Sequence, residues 1–419
     1  MLLATMGQKG GGMGNVSTHG FSSKILAVVL AGGRGSRLHD LTDELPKPAL
    51  PVGQHGRLID FTLTNVVNSG IRDALVLTQY KAAPLARYLG RHWTPGHADR
   101  ALSLGIIDGS THGTFRGTAD AVAKVIAEVD CEAPDHVVIL AGDHLYQMDY
   151  RPFVARHISE GADVTVGAVH VPLADAHEFG VMALGARGRI IAFTEKPASP
   201  PQTADKPGFA LASMGIYVFD WATLRAMLLN LTDHEELDFG RHLLPRLVER
   251  GRAFSYALPG RGQAEPFWQD LGTLDVFHSI HAAFARGVVR LDPSWPLPQS
   301  ILSKAVDGAV WLDDVNALKN VVLLPGARIG REVVLQDAIV TGDAVVPDGF
   351  DLSRALAVDG QWCRISDGGI HVISARAMRR LAELSTVRPV SAKPRFNDNA
   401  PELSWVPQFM PSRRVQTGR

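Results

Sequence analysis

Apolar runs and amphipathic stripes alternate along the first two thirds of the chain. Ile25–Ala31 and Val137–Asp143 are almost unbroken apolar runs, which suit strands buried on both faces of a parallel sheet. Between them, Leu58–Ser69 has its apolar residues at helical spacing and stops at Gly70. Further strands are predicted at Ala74–Thr78, Asp163–Val171, Arg189–Thr194, Ala212–Phe219 and Phe254–Leu258, and further helices from Thr118, from Trp221 to Leu231, from Asp238 and from Thr273 to Arg286. Residues 24–288 are therefore predicted to form an α/β domain with a mostly parallel sheet and helices on both faces.

The apolar period changes after a proline-containing linker at residues 289–312. Two series of apolar or small residues then recur every six positions: Ala317, Leu323, Ile329, Leu335 and Thr341, and Val321, Ala327, Val333, Ile339 and Val345. A period of six is typical of a parallel β-helix, so residues 313–380 are predicted to form a short one. Chance alternation in a β-rich segment is the alternative. Residues 1–23 and 381–419 read as a disordered N-terminal tail and an irregular C-terminal tail.

Composition narrows the class of protein. A length of 419 residues suits one large domain and a smaller one, and 46% hydrophobic with 20% charged residues indicates a globular chain. The net charge of −1 gives no support for nucleic-acid binding. Two distant cysteines, Cys131 and Cys363, suggest neither a disulfide framework nor a zinc site. With no apolar run long enough for a membrane span and no signal-peptide pattern, we expect a reducing, cytoplasmic setting.

The first buried strand runs into a turn rich in glycine and arginine. Gly32, Gly33 and Gly35 allow a close backbone approach to a ligand, and Arg34 and Arg37 carry forked donors that suit phosphate oxygens. Such a turn at the carboxyl end of a parallel strand favours a nucleotide triphosphate site. The string is neither a P-loop nor G-x-G-x-x-G, so a tight turn with solvated arginines is the alternative.

Other polar residues follow predicted strands or rigid loops. Lys47 lies on a loop held by three prolines, and it is either a phosphate partner or an ordinary surface lysine. Gln79 ends a strand, where its amide could read a base edge or only complete a loop. Gly117 would let a ligand approach a helix N-terminus. Asp143 ends the Val137–Asp143 strand and Asp270 precedes a helix; each suits Mg²⁺, and each could instead cap a helix or turn.

Eleven strings together resemble the sugar-nucleotide pyrophosphorylases and, within them, the bacterial glucose-1-phosphate adenylyltransferase family. The match covers about residues 25–290. The strings are AGGRGSRL, PKPALPV, IDFTLTNVVNSGI, TQY, RGTADAV, VVILAGDHLYQMDY, EFGVM, EKP, ASMGIYVF, DFG and FWQDLGT. The resemblance implies a Rossmann-like, GT-A-like nucleotidyltransferase domain with a mostly parallel mixed sheet, followed by a short left-handed parallel β-helix.

The resemblance also implies an activity. ATP and α-D-glucose 1-phosphate would give ADP-glucose and diphosphate for glycogen or α-glucan synthesis, with Mg²⁺ as cofactor, in a homotetramer controlled by sugar-phosphate or nucleotide effectors. The roles that it implies for the matching residues are as follows: Gly32, Gly33, Arg34, Gly35 and Arg37 bind the triphosphate; Lys47 lies near the phosphates and the regulatory cleft; Gln79 and Gly117 lie near adenine; Asp143 and Asp270 hold Mg²⁺; Lys196 binds the phosphate of glucose 1-phosphate; and Gly180, Glu195 and Ser213 line the glucose pocket.

Four departures from the family pattern bear on regulation. Glu44 stands where a basic residue is common, Arg241 where Lys often follows DFG, and Gln269 where bacterial relatives usually have Arg. The β-helix region is also abbreviated. Activation of the fructose-bisphosphate type and the tetramer contacts are therefore in doubt, whereas the catalytic positions are intact. Two other hypotheses remain: the same chemistry with another nucleotide or sugar phosphate, and a non-catalytic regulatory subunit.

Overall fold

A computed structural model describes residues 23–54, 56–93, 102–230, 237–260, 266–297, 308–313, 315 and 317–387. The chain divides into two compact units, Met1–Trp311 and Leu312–Arg419. This division falls at the end of the linker that was predicted for residues 289–312. Most of the predicted N-terminal and C-terminal tails lies outside the described residues. The helix Ala375–Val387, however, extends past residue 380, so the predicted start of the irregular tail at 381 is wrong.

The first unit is built on a nine-stranded sheet within the described residues. Its main order is β10-β6-β9-β4-β1-β2-β3, with β7 paired to β9 and β8 paired to β7. The strands are β1 Ile25–Ala31, β2 Asp73–Thr78, β3 Ser103–Asp108, β4 His136–Ala141, β6 Val164–Pro172, β7 Gly180–Leu184, β8 Ile190–Glu195, β9 Phe209–Asp220 and β10 Ala253–Ala257. The pairs β4–β1, β1–β2, β2–β3 and β10–β6 are parallel, and the pairs that include β7 or β9 are antiparallel.

Both faces of this sheet are covered, which explains the unbroken apolar runs. In β1, Ala27 and Val29 belong to one buried cluster while Leu26 and Val28 belong to a second. Successive strand residues point to opposite faces, so a strand that is buried on both sides needs apolar residues at every position. The α-helices of this unit are α1 Leu58–Asn68, α2 Ala82–His92, α3 Thr118–Ala123, α4 Ile126–Glu132, α5 Tyr150–Ser159, α6 Trp221–Asn230, α7 Leu244–Glu249 and α8 Leu274–Ala285.

Several predicted elements differ in detail. No strand was predicted between Thr78 and Thr118, but Ser103–Asp108 forms the edge strand β3. The helix predicted from Thr118 is interrupted at Val125 (φ −118°, ψ 24°) and continues as α4. The predicted strand to Asp143 ends at Ala141, and a short separate strand, β5 His144–Tyr146, follows it and pairs with β11 Trp268–Asp270. The helix predicted from Asp238 starts with a π-turn, Phe239–Leu243.

The second unit carries the repeat. Its sheet strands are β13 Leu318–Leu323, β15 Leu335–Val340, β17 Arg364–Ile365 and β18 His371–Ile373, beside the pair β14 Arg328–Ile329 and β16 Val345–Val346. A further strand, β12 Val310–Leu312, crosses the division between the two units. Leu318 pairs with Leu335 and Arg328 with Val345, so one coil takes seventeen residues. Most of the predicted repeat positions are buried or half-buried, but Ala317 and Val345 are exposed. The helix Leu352–Val358 interrupts the next coil. Within the described residues, no helix has the length and apolar character of a membrane span.

The buried side chain of His157 is expected to make the stability of the first unit depend on pH in the acid range. Burial lowers the pKa of His157 to about 3, and the neighbouring His136 adds to this effect. An unfolded histidine titrates near 6.5, so below that pH the unfolded chain binds a proton that the native chain does not. We expect stability to fall as the pH drops from about 6.5 towards 3, by up to about 1.4 kcal/mol per pH unit for this group.

His157→Gln should flatten that dependence, measured as urea midpoints from tryptophan fluorescence at pH 6.5, 5.5 and 4.5. His177→Gln, at the exposed position 177, is the control and should leave the slope unchanged. Equal slopes for the wild type and His157→Gln would contradict the assignment.

Candidate active site

Two loops meet at one edge of the central sheet. The β1 and β4 strands are parallel neighbours, so the glycine turn after Ala31 and the Gly142–Asp143 turn after Ala141 emerge side by side. A cavity of about 480 Å³ opens at this edge. The sequence-predicted site residues that line it are Gly32, Gly33, Gln79, Gly117, Asp143 and Glu195. This is the edge at which open α/β sheets bind their ligands.

The two predicted metal carboxylates come together through a short strand pair. Asp143 directly precedes β5, and Asp270 ends β11, where it lies opposite His144 in the antiparallel register. Oxygen or nitrogen ligand atoms of Asp143, His144 and Asp270 all lie within 4.8 Å of one another. Asp270 does not cap α8, because Thr273 Oγ1 accepts the hydrogen bond from the Val276 amide. The capping alternative for Asp270 is therefore wrong.

The ammonium of Lys47 lies between these carboxylates. Its Nζ donates to Asp143 Oδ2 at 2.9 Å and to Asp270 Oδ1 at 2.5 Å, and its side chain is only 6% exposed. Burial disfavours the charged lysine, but the two carboxylates outweigh burial and raise the pKa of Lys47. Burial likewise opposes the charge of Asp143, yet Lys47 and His144 lower the pKa of Asp143 to about 2. Lys47 is thus a buried cation and not the surface lysine of the alternative interpretation.

The main chain around Lys47 is fixed from two sides. Gly35 adopts a left-handed conformation (φ 65°), and a Cβ at this position would lie 2.9 Å from Lys47 Cβ. On the other side, Arg57 donates to the Ala49 carbonyl in the turn Lys47–Ala49. The Arg57 amide in turn donates to the buried Asp60, which also accepts from Tyr88 and Trp93. The glycine turn and α1 together therefore set the path of the lysine.

The donor set fits a divalent cation. Asp143 and Asp270 offer carboxylate oxygens, which Mg²⁺ prefers. His144 Nδ1 lies 3.0 Å from the Met214 carbonyl, so Nδ1 carries the proton there and Nε2 faces the carboxylates. Lys47 compensates the two negative charges in this arrangement. A cation bound to both carboxylates would take over that charge and release the ammonium to other anionic groups.

A second group of predicted residues surrounds Glu195. A Cβ at Gly240 would lie 2.4 Å from Glu195 Oε2, and one at Gly180 would lie 2.8 Å from the same oxygen. Burial raises the pKa of Glu195, and Asp238 adds to this while Lys196 opposes it. Lys196 itself is exposed, has φ 49° and donates its amide to the Phe179 carbonyl. Ser213 is buried, and its Oγ accepts from the Gly215 amide at 3.2 Å.

Three predicted side chains have other contacts. The side-chain amide of Gln79 donates to the Phe115 carbonyl and accepts from the Phe115 amide, so it holds the neighbouring loop while it lines the cavity. Arg34 lies over the Tyr80 ring at 5.6 Å. Arg37 pairs with Glu178 at 2.8 Å and approaches Asp270 at 3.9 Å. The position of Gln79 near adenine stays a prediction.

Sequence reasoning missed two features of the site. His144 was visible in the string Gly-Asp-His, but it was not considered as a neighbour of the carboxylates. The second feature is the hydrogen bond from the Thr118 hydroxyl to Asp238, at the start of a helix that has no side-chain cap. Thr118 and Asp238 are far apart in the chain, so their contact can be recognised only in the folded structure.

Comparison with known proteins agrees with this geometry. The nucleotidyl transferase family model matches residues 26–287, and the model for the GlmU-like C-terminal hexapeptide matches residues 296–373. The first unit is thus a nucleotidyl transferase domain, and the second is a hexapeptide-type left-handed β-helix.

Relatives define the family more closely. The chain is 38% identical to a glucose-1-phosphate adenylyltransferase of a Jannaschia species, over 88% of this chain and 100% of the relative. It is 37% identical to the enzyme of that name from Cereibacter sphaeroides, over 84% and 95%, and 36% identical to the one from Agrobacterium fabrum, over 85% and 96%. The chain belongs to the glucose-1-phosphate adenylyltransferase family.

The position of Lys47 predicts a metal-dependent stability. In Lys47→Met two carboxylates face each other without a cation, and loss of the charged hydrogen bonds should lower the melting temperature of the metal-free protein by roughly 5 °C. Millimolar Mg²⁺ should recover most of that loss, measured by thermal unfolding with EDTA or Mg²⁺. Arg37→Met removes an exposed cation from the same region and should change little. If Mg²⁺ does not change the decrease in melting temperature of Lys47→Met, this account is contradicted.

Proposed function

We propose that this chain converts ATP and glucose 1-phosphate to ADP-glucose and diphosphate, and that it supplies glycogen or α-glucan synthesis. The observation that carries the proposal is the pair Asp143 and Asp270, with Lys47 between them, at the edge of the sheet where the glycine turn also ends. Family membership supports the choice of substrates.

The glycine turn after β1 forms part of the proposed nucleotide half of the pocket. Gly32 and Gly33 line the cavity and carry no side chain that would keep a triphosphate away. Arg34 and Arg37 are exposed beside them and supply forked donors. Gly35 acts indirectly, since it makes room for Lys47. Gln79 and Gly117 form the wall near adenine, with Gln79 acting through the Phe115 main chain that it holds.

The carboxylates Asp143 and Asp270 would hold Mg²⁺, which neutralises charge on the phosphates when it is bound. The Lys47 ammonium, which lies between these carboxylates, would face the triphosphate and stabilise the departing diphosphate. An oxygen of the sugar phosphate attacks the α-phosphorus, the bond from that phosphorus to the bridging oxygen breaks, and diphosphate leaves with the electron pair. Such a transfer depends on positioning and on charge stabilisation more than on covalent help from the protein.

The sugar-phosphate half of the pocket lies around Glu195. Lys196 is exposed next to it and binds the phosphate of glucose 1-phosphate. Glu195 accepts hydrogen bonds from sugar hydroxyls, and Gly180 and Ser213 complete this wall. Glu195 is held close to Gly180 and Gly240, so the position of its carboxylate is tightly defined.

Assembly and regulation are a separate part of the proposal. We expect a homotetramer with sugar-phosphate or nucleotide effectors, as the family resemblance implies. Glu44 is exposed on the loop before Lys47, where it adds negative charge and disfavours a phosphate effector. Arg241 is also exposed, directly after Gly240.

A substrate panel tests the activity. Diphosphate release should be measured with purified protein, Mg²⁺, glucose 1-phosphate and each nucleoside triphosphate in turn, with and without fructose 1,6-bisphosphate, fructose 6-phosphate and pyruvate. ATP should be strongly preferred. A faster rate with UTP or TTP would favour the same chemistry on another nucleotide, and no turnover together with hetero-oligomer formation would favour a regulatory subunit.

Lys196→Ala tests the sugar-phosphate assignment. Loss of the ammonium removes a charged hydrogen bond of about 1.5–3 kcal/mol, so the KM for glucose 1-phosphate should rise roughly 10- to 100-fold. The KM for ATP should change little. Lys206→Ala, which removes a lysine stacked on Phe209, is the control and should leave both values near those of the wild type. Equal increases for both substrates in Lys196→Ala would overturn the assignment.

A further inference from the structure

One segment of the cavity wall contacts both halves of the pocket. This linking segment, Leu237–Gly240, bonds at one end to the loop and helix start around Gly117 and touches Glu195 at the other. Gly117, Thr118, Asp238, Phe239, Gly240 and Glu195 all line the same cavity. The two halves of the pocket are thus joined by a continuous run of main chain.

The nucleotide end of the segment is held by the main chain. The Leu237 carbonyl accepts from the Ala119 amide at 2.9 Å and from the Asp120 amide at 3.0 Å. The Leu237 amide donates to the Arg116 carbonyl at 2.9 Å. Gly117 has φ 118°, and a Cβ there would lie 2.4 Å from the Leu237 oxygen. Leu237 therefore satisfies amides at the start of α3 that a capping side chain would otherwise satisfy.

Thr118 supplies the side-chain link. Its hydroxyl donates to Asp238 Oδ1 at 2.5 Å and accepts from the Phe239 amide at 3.1 Å. One hydroxyl thus fixes both the carboxylate of Asp238 and the first residue of the π-turn. Since these groups line the cavity, a ligand beside Thr118 would shield the hydrogen bonds from water and strengthen them.

The far end of the segment sets the position of Glu195. Gly240 packs against the Glu195 carboxylate so closely that a Cβ would overlap it. The ring of Phe239 packs on Tyr217, with centroids 5.4 Å apart, which limits how the segment can move. A shift of Asp238 or Phe239 on the nucleotide side therefore reaches Gly240 and Glu195 on the sugar side.

We propose that Thr118 is a positioning residue that couples nucleotide binding to sugar-phosphate binding through Leu237–Gly240. The inference rests on the proposed function, because it takes the Gly117 end as the nucleotide half and the Glu195 end as the sugar half. When the first ligand orders Leu237–Gly240, this segment holds the pocket wall in the position that the second ligand binds. The coupling is reciprocal, so either ligand tightens the binding of the other.

The test measures binding without turnover. Calorimetric titration of glucose 1-phosphate into wild-type protein with Mg²⁺ should give at least about fivefold tighter binding when the inert analogue α,β-methylene-ATP is present. In Thr118→Val, which keeps the side-chain shape and loses the hydroxyl, that factor should fall towards one. Thr118→Ser restores the hydroxyl and should restore most of the coupling.

Thr78→Val is the matched control. Its hydroxyl also donates to a main-chain carbonyl, that of Ile107, near the nucleotide half, but Thr78 makes no hydrogen bond to the linking segment in the described structure. This variant should keep the wild-type factor. Hydrogen exchange of the amides of residues 237–243 gives a second readout: the analogue alone should protect them in the wild type and in Thr78→Val, but not in Thr118→Val.

The outcomes separate the coupling from the activity. A wild type that shows no cooperativity, or a Thr118→Val variant that retains it, overturns the coupling even when the enzyme turns over ATP and glucose 1-phosphate. A wild type that binds both ligands cooperatively without turnover refutes the proposed activity and leaves the coupling supported.

Discussion

Charge compensation at two carboxylates governs the organisation of the first unit. Asp143, in the turn before β5, and Asp270, at the end of β11, are distant in the chain, and two negative charges at this separation repel each other unless a cation lies between them. Lys47 supplies that cation. Its route depends on Gly35 at one side and on the Arg57–Asp60 contacts at the other, so the glycine turn and α1 both contribute to one ion cluster. Under the proposed function, Mg²⁺ held by both carboxylates would take the place of the lysine charge in this cluster.

The topology of the sheet explains why these groups converge. Parallel β1 and β4 deliver the glycine turn and Asp143 to one edge, and antiparallel β9 carries Ser213 alongside β6. The proposed ligand groups therefore lie either on strands, such as Glu195 at the end of β8 and Asp270 at the end of β11, or in the turns that follow β1 and β4. Such an arrangement suits phosphoryl transfer, in which small errors of position reduce the rate strongly.

Much of this arrangement was predictable from the sequence, for identifiable physical reasons. Strands that are buried on both faces read as continuous apolar runs, so β1, β2 and β4 were found. The edge strand β3 was missed because its residues are only half-buried and include polar ones. Asp143 was selected as a metal candidate because it follows a predicted buried strand, whereas the pairing of Lys47 with Asp143 and Asp270 depends on tertiary packing that no local pattern encodes. The contact of Gln79 with Phe115 could not be predicted for the same reason, since Phe115 reaches Gln79 only after folding.

The pair β5–β11 has a consequence for the order of folding. Three residues on each strand set its register, and a slip by one residue would turn Asp270 to the other face and place Gln269 or Leu271 opposite His144. The second carboxylate is made more than a hundred residues after the first, so a growing chain that has already formed β1 and β4 still lacks a complete ion cluster. Lys47 can then compensate only one acid, and the site takes its final form only when β11 closes this long loop. The active site can therefore form only after β11 has paired with β5, late in the folding of the first unit.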